Sequence, residues 1–247
     1  YINMKLSPIS SVQIAPLQNA VQKFHDCYLV SSLGALSRSE KGRRILENNI
    51  SQGRNNYNIK FNNVNGEQED YLIPKNTIKK FMHEKIDGYV ERLLVSPVTT
   101  AVELAMNNLI AKHPSIKPYI YRMMENQQDF EYNKPSRFLK MFTGKKPVTL
   151  NEGGIRMSLF GKIEKAFSLL KKIEKDKDSV FIAGTGWNMW GINSLPSWHC
   201  YSVRQVRMEQ NRIVLFDHRK QEEVVLPIQN ALHQLKFLTG YFSKDLM

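Results

Sequence analysis

The sequence predicts an α+β fold, helical toward its start and rich in antiparallel strands toward its end. Three observations carry this. Apolar residues recur at helical spacing after Cys27 and after Pro97, polar and apolar residues alternate through 57–61 and 201–206, and the apolar runs beyond Asp178 are short and bounded by turn residues. The division falls near residue 150. Residues 1–150 are expected to form a mostly helical lobe and residues 151–247 a strand-rich lobe, the two making one domain.

Taken in order, Leu29, Val30, Leu33 and Leu36 place a helix directly after Cys27, and Gly42 to Leu46 continue as a second short helix behind Ser39-Glu40. Tyr57, Ile59 and Phe61 alternate with polar residues, Asn65-Gly66 is a two-residue turn signal, and Tyr71-Leu72-Ile73 stops at Pro74, so residues 57–73 read as a β-hairpin. Ser96-Pro97 opens a helix through Leu109 that His113-Pro114 ends. Pro118 to Met124 and residues 134–142 give two further short helices, the second closed by Thr143-Gly144. The longest helix is expected over Ile155 to Lys175, with Leu159, Ile163, Phe167, Leu170 and Ile173 on one face and lysines on the other. Strands follow at 180–183, 201–206, 213–216 and 223–226, and a last helix from Ile228 to Leu238 closes the chain.

The 247 residues, 42% hydrophobic and 10% aromatic, fit a soluble globular protein, and no apolar run is long enough to span a bilayer. The net charge of +12 is spread over pairs such as Lys79-Lys80, Lys145-Lys146 and Lys171-Lys172. Without interleaved aromatics or a nucleic-acid-binding module, this charge suits an acidic partner surface better than specific nucleic-acid reading. Two cysteines in a chain of this length do not make a disulfide framework, so a reducing, cytoplasmic compartment is expected and a Cys27–Cys200 bridge is not. The start at Tyr1 suggests a fragment or processed form, with delivery into a host cell as one route to that compartment.

Chemistry concentrates at three residues. Cys27 opens a helix, where the backbone dipole and unpaired N–H groups favour a thiolate. His199, in Trp198-His199-Cys200-Tyr201-Ser202-Val203, and Asp217, ending Val214-Leu215-Phe216-Asp217, follow in the order Cys, His, Asp. Each alone has a plainer role: a small core thiol, a packed imidazole, a turn or cap carboxylate. The ordered trio points instead to nucleophilic catalysis. Gly184-Thr185-Gly186 lacks the third glycine of a dinucleotide site and reads as a turn, and His218 and His233 have no partners at metal-ligand spacing. Trp187, Trp190 and Trp198, with Gly184, Gly186 and Gly191, either line a cleft beside His199 or pack beneath a glycine-rich loop.

Four segments resemble the calpain-like branch of the papain-fold cysteine proteases. Asp26-Cys27-Tyr28-Leu29 is similar to that family's nucleophile segment, and Ala101 through Ala111-Lys112 to a helix ending in Ala-Lys. Phe138 through Thr143-Gly144 resembles its Leu-Thr-Gly segment, and His199-Cys200-Tyr201-Ser202-Val203 its His-Ala-Tyr-Ser-Val. The resemblance runs from about residue 20 to 226 and implies a papain-like fold with a catalytic cleft between a helical and a β-rich lobe. It implies Cys27 as nucleophile, His199 as the acid–base partner, Asp217 as the orienting group, and an oxyanion hole made by the Cys27 backbone N–H with Gln22. Gln22 lies five positions before Cys27, one fewer than in the family pattern, and Gln18 is its reserve.

Two departures matter. The family's Asn-Pro-Trp is replaced by Asp217-His218-Arg219, which makes the orienting group anionic and removes the shielding tryptophan. A calcium-binding acidic loop is also missing, so no metal and no cofactor are expected. The implied activity is peptide-bond hydrolysis of a protein substrate through an acyl-enzyme. A Cys-His-Asp trio equally suits a glutamine deamidase or transglutaminase-like enzyme, and an inactive scaffold that binds an acidic partner stands as the alternative outside enzymology.

Overall fold

The computed structural model describes residues 7–8, 17, 27–84, 96–116, 134–151, 162–186 and 195–246. Among these residues helices and antiparallel sheets are mixed, an α+β arrangement.

Helix α1 (Cys27–Arg38) begins at the cysteine. Every residue from Tyr28 to Ser37 is buried, so this helix is enclosed on all sides instead of having one wet face. Its serines are accommodated by bonding backward: Ser31 Oγ donates to the Cys27 carbonyl (2.5 Å) and Ser32 Oγ to the Tyr28 carbonyl (2.6 Å). Helix α2 (Glu40–Asn49) starts where Ser39 accepts from the Gly42 N–H, an N-cap.

The hairpin expected at 57–73 is present as β3 (Asn56–Asn62) and β4 (Gln68–Pro74). It closes through the longer loop 63–67, not through a two-residue Asn65-Gly66 turn. Asn63 organises that loop, its side-chain oxygen accepting the N–H groups of Asn65 and Glu67, and Gly66 supplies the positive φ of 85°. Strands β1 (Ser7–Pro8) and β2 (Ile50–Gln52) extend the pair to a four-stranded sheet in the order β1-β2-β3-β4, so the first part of the chain holds more strand than its helical periodicity suggests. Helix α3 (Lys75–Glu84), which the sequence reading did not anticipate, follows Pro74.

Helix α4 (Pro97–Lys112) has the expected bounds, with Ser96 capping Val98 and Pro97 in the first turn. Helix α5 (Pro135–Thr143) ends at Gly144 in the left-handed region, where its N–H reaches the Lys140 carbonyl. The helix expected at 118–124 lies outside the described residues, as do 155–161 of the long helix, whose described part is α6 (Ile163–Lys175).

The second sheet has six strands in the order β5-β10-β6-β7-β8-β9, all pairs antiparallel. These are β5 (Val148–Leu150), β6 (Val180–Thr185), β7 (Cys200–Arg207), β8 (Arg212–Asp217), β9 (Glu222–Pro227) and β10 (Leu235–Tyr241). Strand β5 precedes the expected division near residue 150 yet pairs with β10. The closing helix is shorter than expected: α7 (Ile228–Gln234) stops and Leu235–Tyr241 becomes a central strand. Leu235 and Leu238 continue the helical spacing, but β5 and β6 leave a slot whose hydrogen-bonding groups a strand satisfies on both sides. Gly184, expected in a turn, instead continues β6, and a Cβ there would sit 2.1 Å from the Phe237 ring.

Alternation along the strands divides the core. Val180, Ile182, Cys200, Phe237 and Tyr241 face a cluster built by α1, α4, α5 and β3, whereas Phe181, Ala183, Tyr201, Ile213, Leu215 and Leu238 face α6 and α7. The six-stranded sheet therefore lies between α1 on one face and α6 on the other. Among the described residues no helix is long and apolar enough to cross a membrane.

Candidate active site

The elements fix where the three chemical residues meet. Cys27 is the first residue of α1, so its backbone N–H has no acceptor within the helix and its sulfur sits at the positive end of the helix dipole. His199 immediately precedes β7, and Asp217 is the last residue of β8, its neighbour in the sheet. Because α1 packs on β6 and β7, the helix start meets the strand carrying the imidazole.

His199 is held from both sides. Its backbone N–H donates to Thr185 Oγ1 (3.0 Å), its carbonyl accepts the Thr185 N–H (2.9 Å), and Thr185 Oγ1 donates to the Pro196 carbonyl (2.6 Å). The ring lies edge-on to Tyr201 at 4.7 Å between centroids. Nε2 is 2.9 Å from Asp217 Oδ1, with His199 5% and Asp217 1% exposed. That oxygen also accepts the backbone N–H groups of Arg219 (2.8 Å) and Lys220 (3.2 Å), an Asx-type turn that aims the carboxylate at the ring. With Nε2 engaged by Asp217, Nδ1 is the nitrogen left for the hydrogen bond between His199 and the Cys27 thiol.

The electrostatics favour an ion pair. A hydrogen bond from the Cys200 thiol, opposed by burial and reinforced by the hydrogen bond and charge of His199, lowers the Cys27 thiol to about 5. Burial alone would push His199 down, but the Asp217 carboxylate and the Cys27 sulfur outweigh it and raise the imidazole to about 9. Asp217 behaves likewise: burial raises it, and the His199 hydrogen bond and charge, with the Lys220 and Arg219 N–H groups, bring it down to about 2. Between those limits the site holds a thiolate, an imidazolium and a carboxylate in a row. Such a row supplies a nucleophile and, beside it, a proton for a leaving group.

Cys200 was assigned no role from sequence. It is buried, Cys27 is half-buried, and both are free thiols, so the two do not form a bridge. The signal was present in the strand pattern: positions 200 and 202 face α1, whereas Tyr201 faces α6. Tyr201 was also missed. Its buried hydroxyl has no hydrogen-bond partner among the described residues, and burial, together with the charges of Asp217, Cys200 and Cys27, holds its ionisation above the usual range. The oxyanion candidate Gln22 and its reserve Gln18 lie outside the described residues, as do Trp187, Trp190 and Gly191. Trp198 is 54% exposed, has a positive φ of 55°, and carries Lys236 Nζ 5.1 Å over its ring. Among the described residues no group of three or more His, Cys, Asp or Glu side chains could hold a metal ion.

Comparison with protein-family models and with curated proteins gives no match for this chain.

Proposed function

We propose that the chain is a cysteine peptidase of the papain-like, calpain-like type, acting on protein substrates in a reducing compartment. The observation that carries this reading is the buried His199–Asp217 pair, 2.9 Å apart, whose imidazole also hydrogen-bonds a cysteine at a helix start. In the first step the Cys27 sulfur attacks the scissile carbonyl carbon, the backbone N–H of Cys27 steadies the developing oxyanion, and His199 gives its proton to the departing amine as the C–N bond breaks. In the second, His199 takes a proton from water, the resulting hydroxide attacks the thioester, and the C–S bond breaks to release the carboxylic acid and free Cys27. Asp217 keeps the ring in the orientation and charge state both steps use. Two free thiols suit the reducing setting.

A second reading rests on one specific feature, the anionic third member Asp217. The same steps on a glutamine side chain expel ammonia and yield glutamate, as in a deamidase, or pass the acyl group to an amine. Mass spectrometry of protein substrates incubated with the chain distinguishes them. New peptide termini that vanish with Cys27→Ala support the peptidase. Side-chain conversion without backbone cleavage supports the second reading, and neither product with any substrate tried over the range where the ion pair exists counts against both.

A further inference from the structure

The sulfur comes from α1 and the imidazole from the six-stranded sheet, so whatever fixes their separation must join helix to sheet. One buried hydrogen-bonded chain does this. Ser202 Oγ donates to the Ser31 carbonyl at 2.8 Å and lies 2.6 Å from His218 Nε2. A carbonyl only accepts, and a serine hydroxyl has a single proton, so Nε2 of His218 is the donor to Ser202 Oγ. The chain runs from His218 through Ser202 to Ser31, all three fully buried. Ser31 sits one turn along α1 from Cys27 and bonds back to its carbonyl. His218 directly follows Asp217, and its ring packs edge-on to Phe216, the residue that pairs with Ser202 across β7 and β8.

The helix is shaped to admit the ring. A Cβ at Gly34 would lie 2.3 Å from His218 Cε1 and 2.7 Å from Nε2, closer than a side chain tolerates, and a tight 3.1 Å from Ser202 Oγ. Glycine inside a helix is less favourable than alanine. That cost is consistent with a position where close approach of the imidazole matters more than local helix preference.

We propose that His218 is a positioning residue for the site: through Ser202 it clamps the first turns of α1 against β7 and β8 and so holds Cys27 within proton-sharing reach of His199. This rests on the reading of Cys27 and His199 as the reacting pair. The test is the pH dependence of Cys27 alkylation by iodoacetamide, mapped by peptide, in the unaltered chain, His218→Ala, Ser202→Ala and His218→Gln. The unaltered chain should show an acid limb near about 5. His218→Ala and Ser202→Ala should move that limb toward the ordinary thiol range and slow alkylation at pH 6 by about tenfold. His218→Gln, whose amide N–H reaches a similar point, should restore much of the limb. Labelling of the buried Cys200 in the same digests separates this shift from unfolding, because a variant that unfolds exposes both thiols whereas lost positioning moves Cys27 alone. Ser202→Ala keeps the test available where His218→Ala fails to fold. A limb near 5 retained by the alanine variants overturns the positioning role alone. A limb already in the ordinary range in the unaltered chain removes the reacting pair, and the positioning role with it.

Discussion

The carboxylate of Asp217 lies 2.9 Å from Nε2 of His199, and both side chains are almost wholly out of contact with solvent. An unpaired buried charge is expensive, so each group holds the other in its ionised form, and the charge on the ring then stabilises the sulfur on its far side. The reactivity of Cys27 is thus partly determined by a strand end 190 positions later in the sequence.

Asp217→Asn keeps the shape and removes the charge. His199 should lose its proton well below about 9, so on the peptidase reading the alkaline limb of turnover, which needs the imidazolium as proton donor, moves toward neutral pH. Activity near pH 8 should fall by more than tenfold, while the acid limb moves less. A pH–rate profile of both proteins on one substrate checks this, and an unmoved alkaline limb contradicts it.

Asp217 also links folding to acid. Its folded value, about 2, is depressed below the ordinary aspartate range, so its contribution to stability is present above pH 4 and is lost as pH falls toward about 2. Urea unfolding between pH 5 and pH 2.5 should therefore show a steeper loss of stability in the unaltered chain than in Asp217→Asn. Parallel curves would show that the carboxylate contributes nothing through this route.

Cys200→Ala removes the thiol that donates to the Cys27 sulfur, the largest of the influences lowering it. The acid limb of Cys27 alkylation should shift upward, with the imidazole still in place. Cys200→Ser, which supplies a stronger hydroxyl donor, should leave it near the unaltered position. Equal limbs in the alanine and serine variants would remove Cys200 from the account.

Gly240→Ala tests the central strand. A Cβ at Gly240 would meet the Val180 carbonyl oxygen at 1.9 Å and the Phe181 Cα at 2.7 Å, so the β10–β6 ladder must part or bend. The expected loss is about 2–3 kcal/mol, read from the urea midpoint. Gly66→Ala changes an exposed loop at positive φ with open space around it, and should cost about 1 kcal/mol.

Much of this was legible in local sequence because short-range physics decided it. The helix after Cys27, the hairpin and β6 to β9 carry their period in side chains that pack on nearby elements. Strand β10 was not legible, since Leu235 and Leu238 fit a helical continuation of Ile228, Ala231 and Leu232, and only the slot between β5 and β6 reverses the choice. The trio was visible as residue types in order, but Cys200 and His218 were not. Their significance depends on which strand face meets α1, a matter of tertiary packing. Gly34 likewise looks like an ordinary helical glycine until the His218 ring is seen against it.

The most direct test of the central claim is the rate of Cys27 alkylation across pH 4 to 10 in the unaltered chain and in His199→Ala, with Cys200 followed in the same digests. With His199 present, alkylation should rise through about pH 5 at Cys27 and leave the buried Cys200 nearly unlabelled. With the Cys200 thiol still donating, His199→Ala should return Cys27 only part of the way toward about 8.5. A full return would cut the thiolate fraction at pH 6 by roughly 300-fold, offset in part by the greater reactivity of a more basic thiolate, so the net slowing should be several-fold and at most about tenfold. Identical Cys27 profiles in the two proteins, rising only near pH 8 to 9, would contradict the thiolate–imidazolium pair on which the catalytic reading depends.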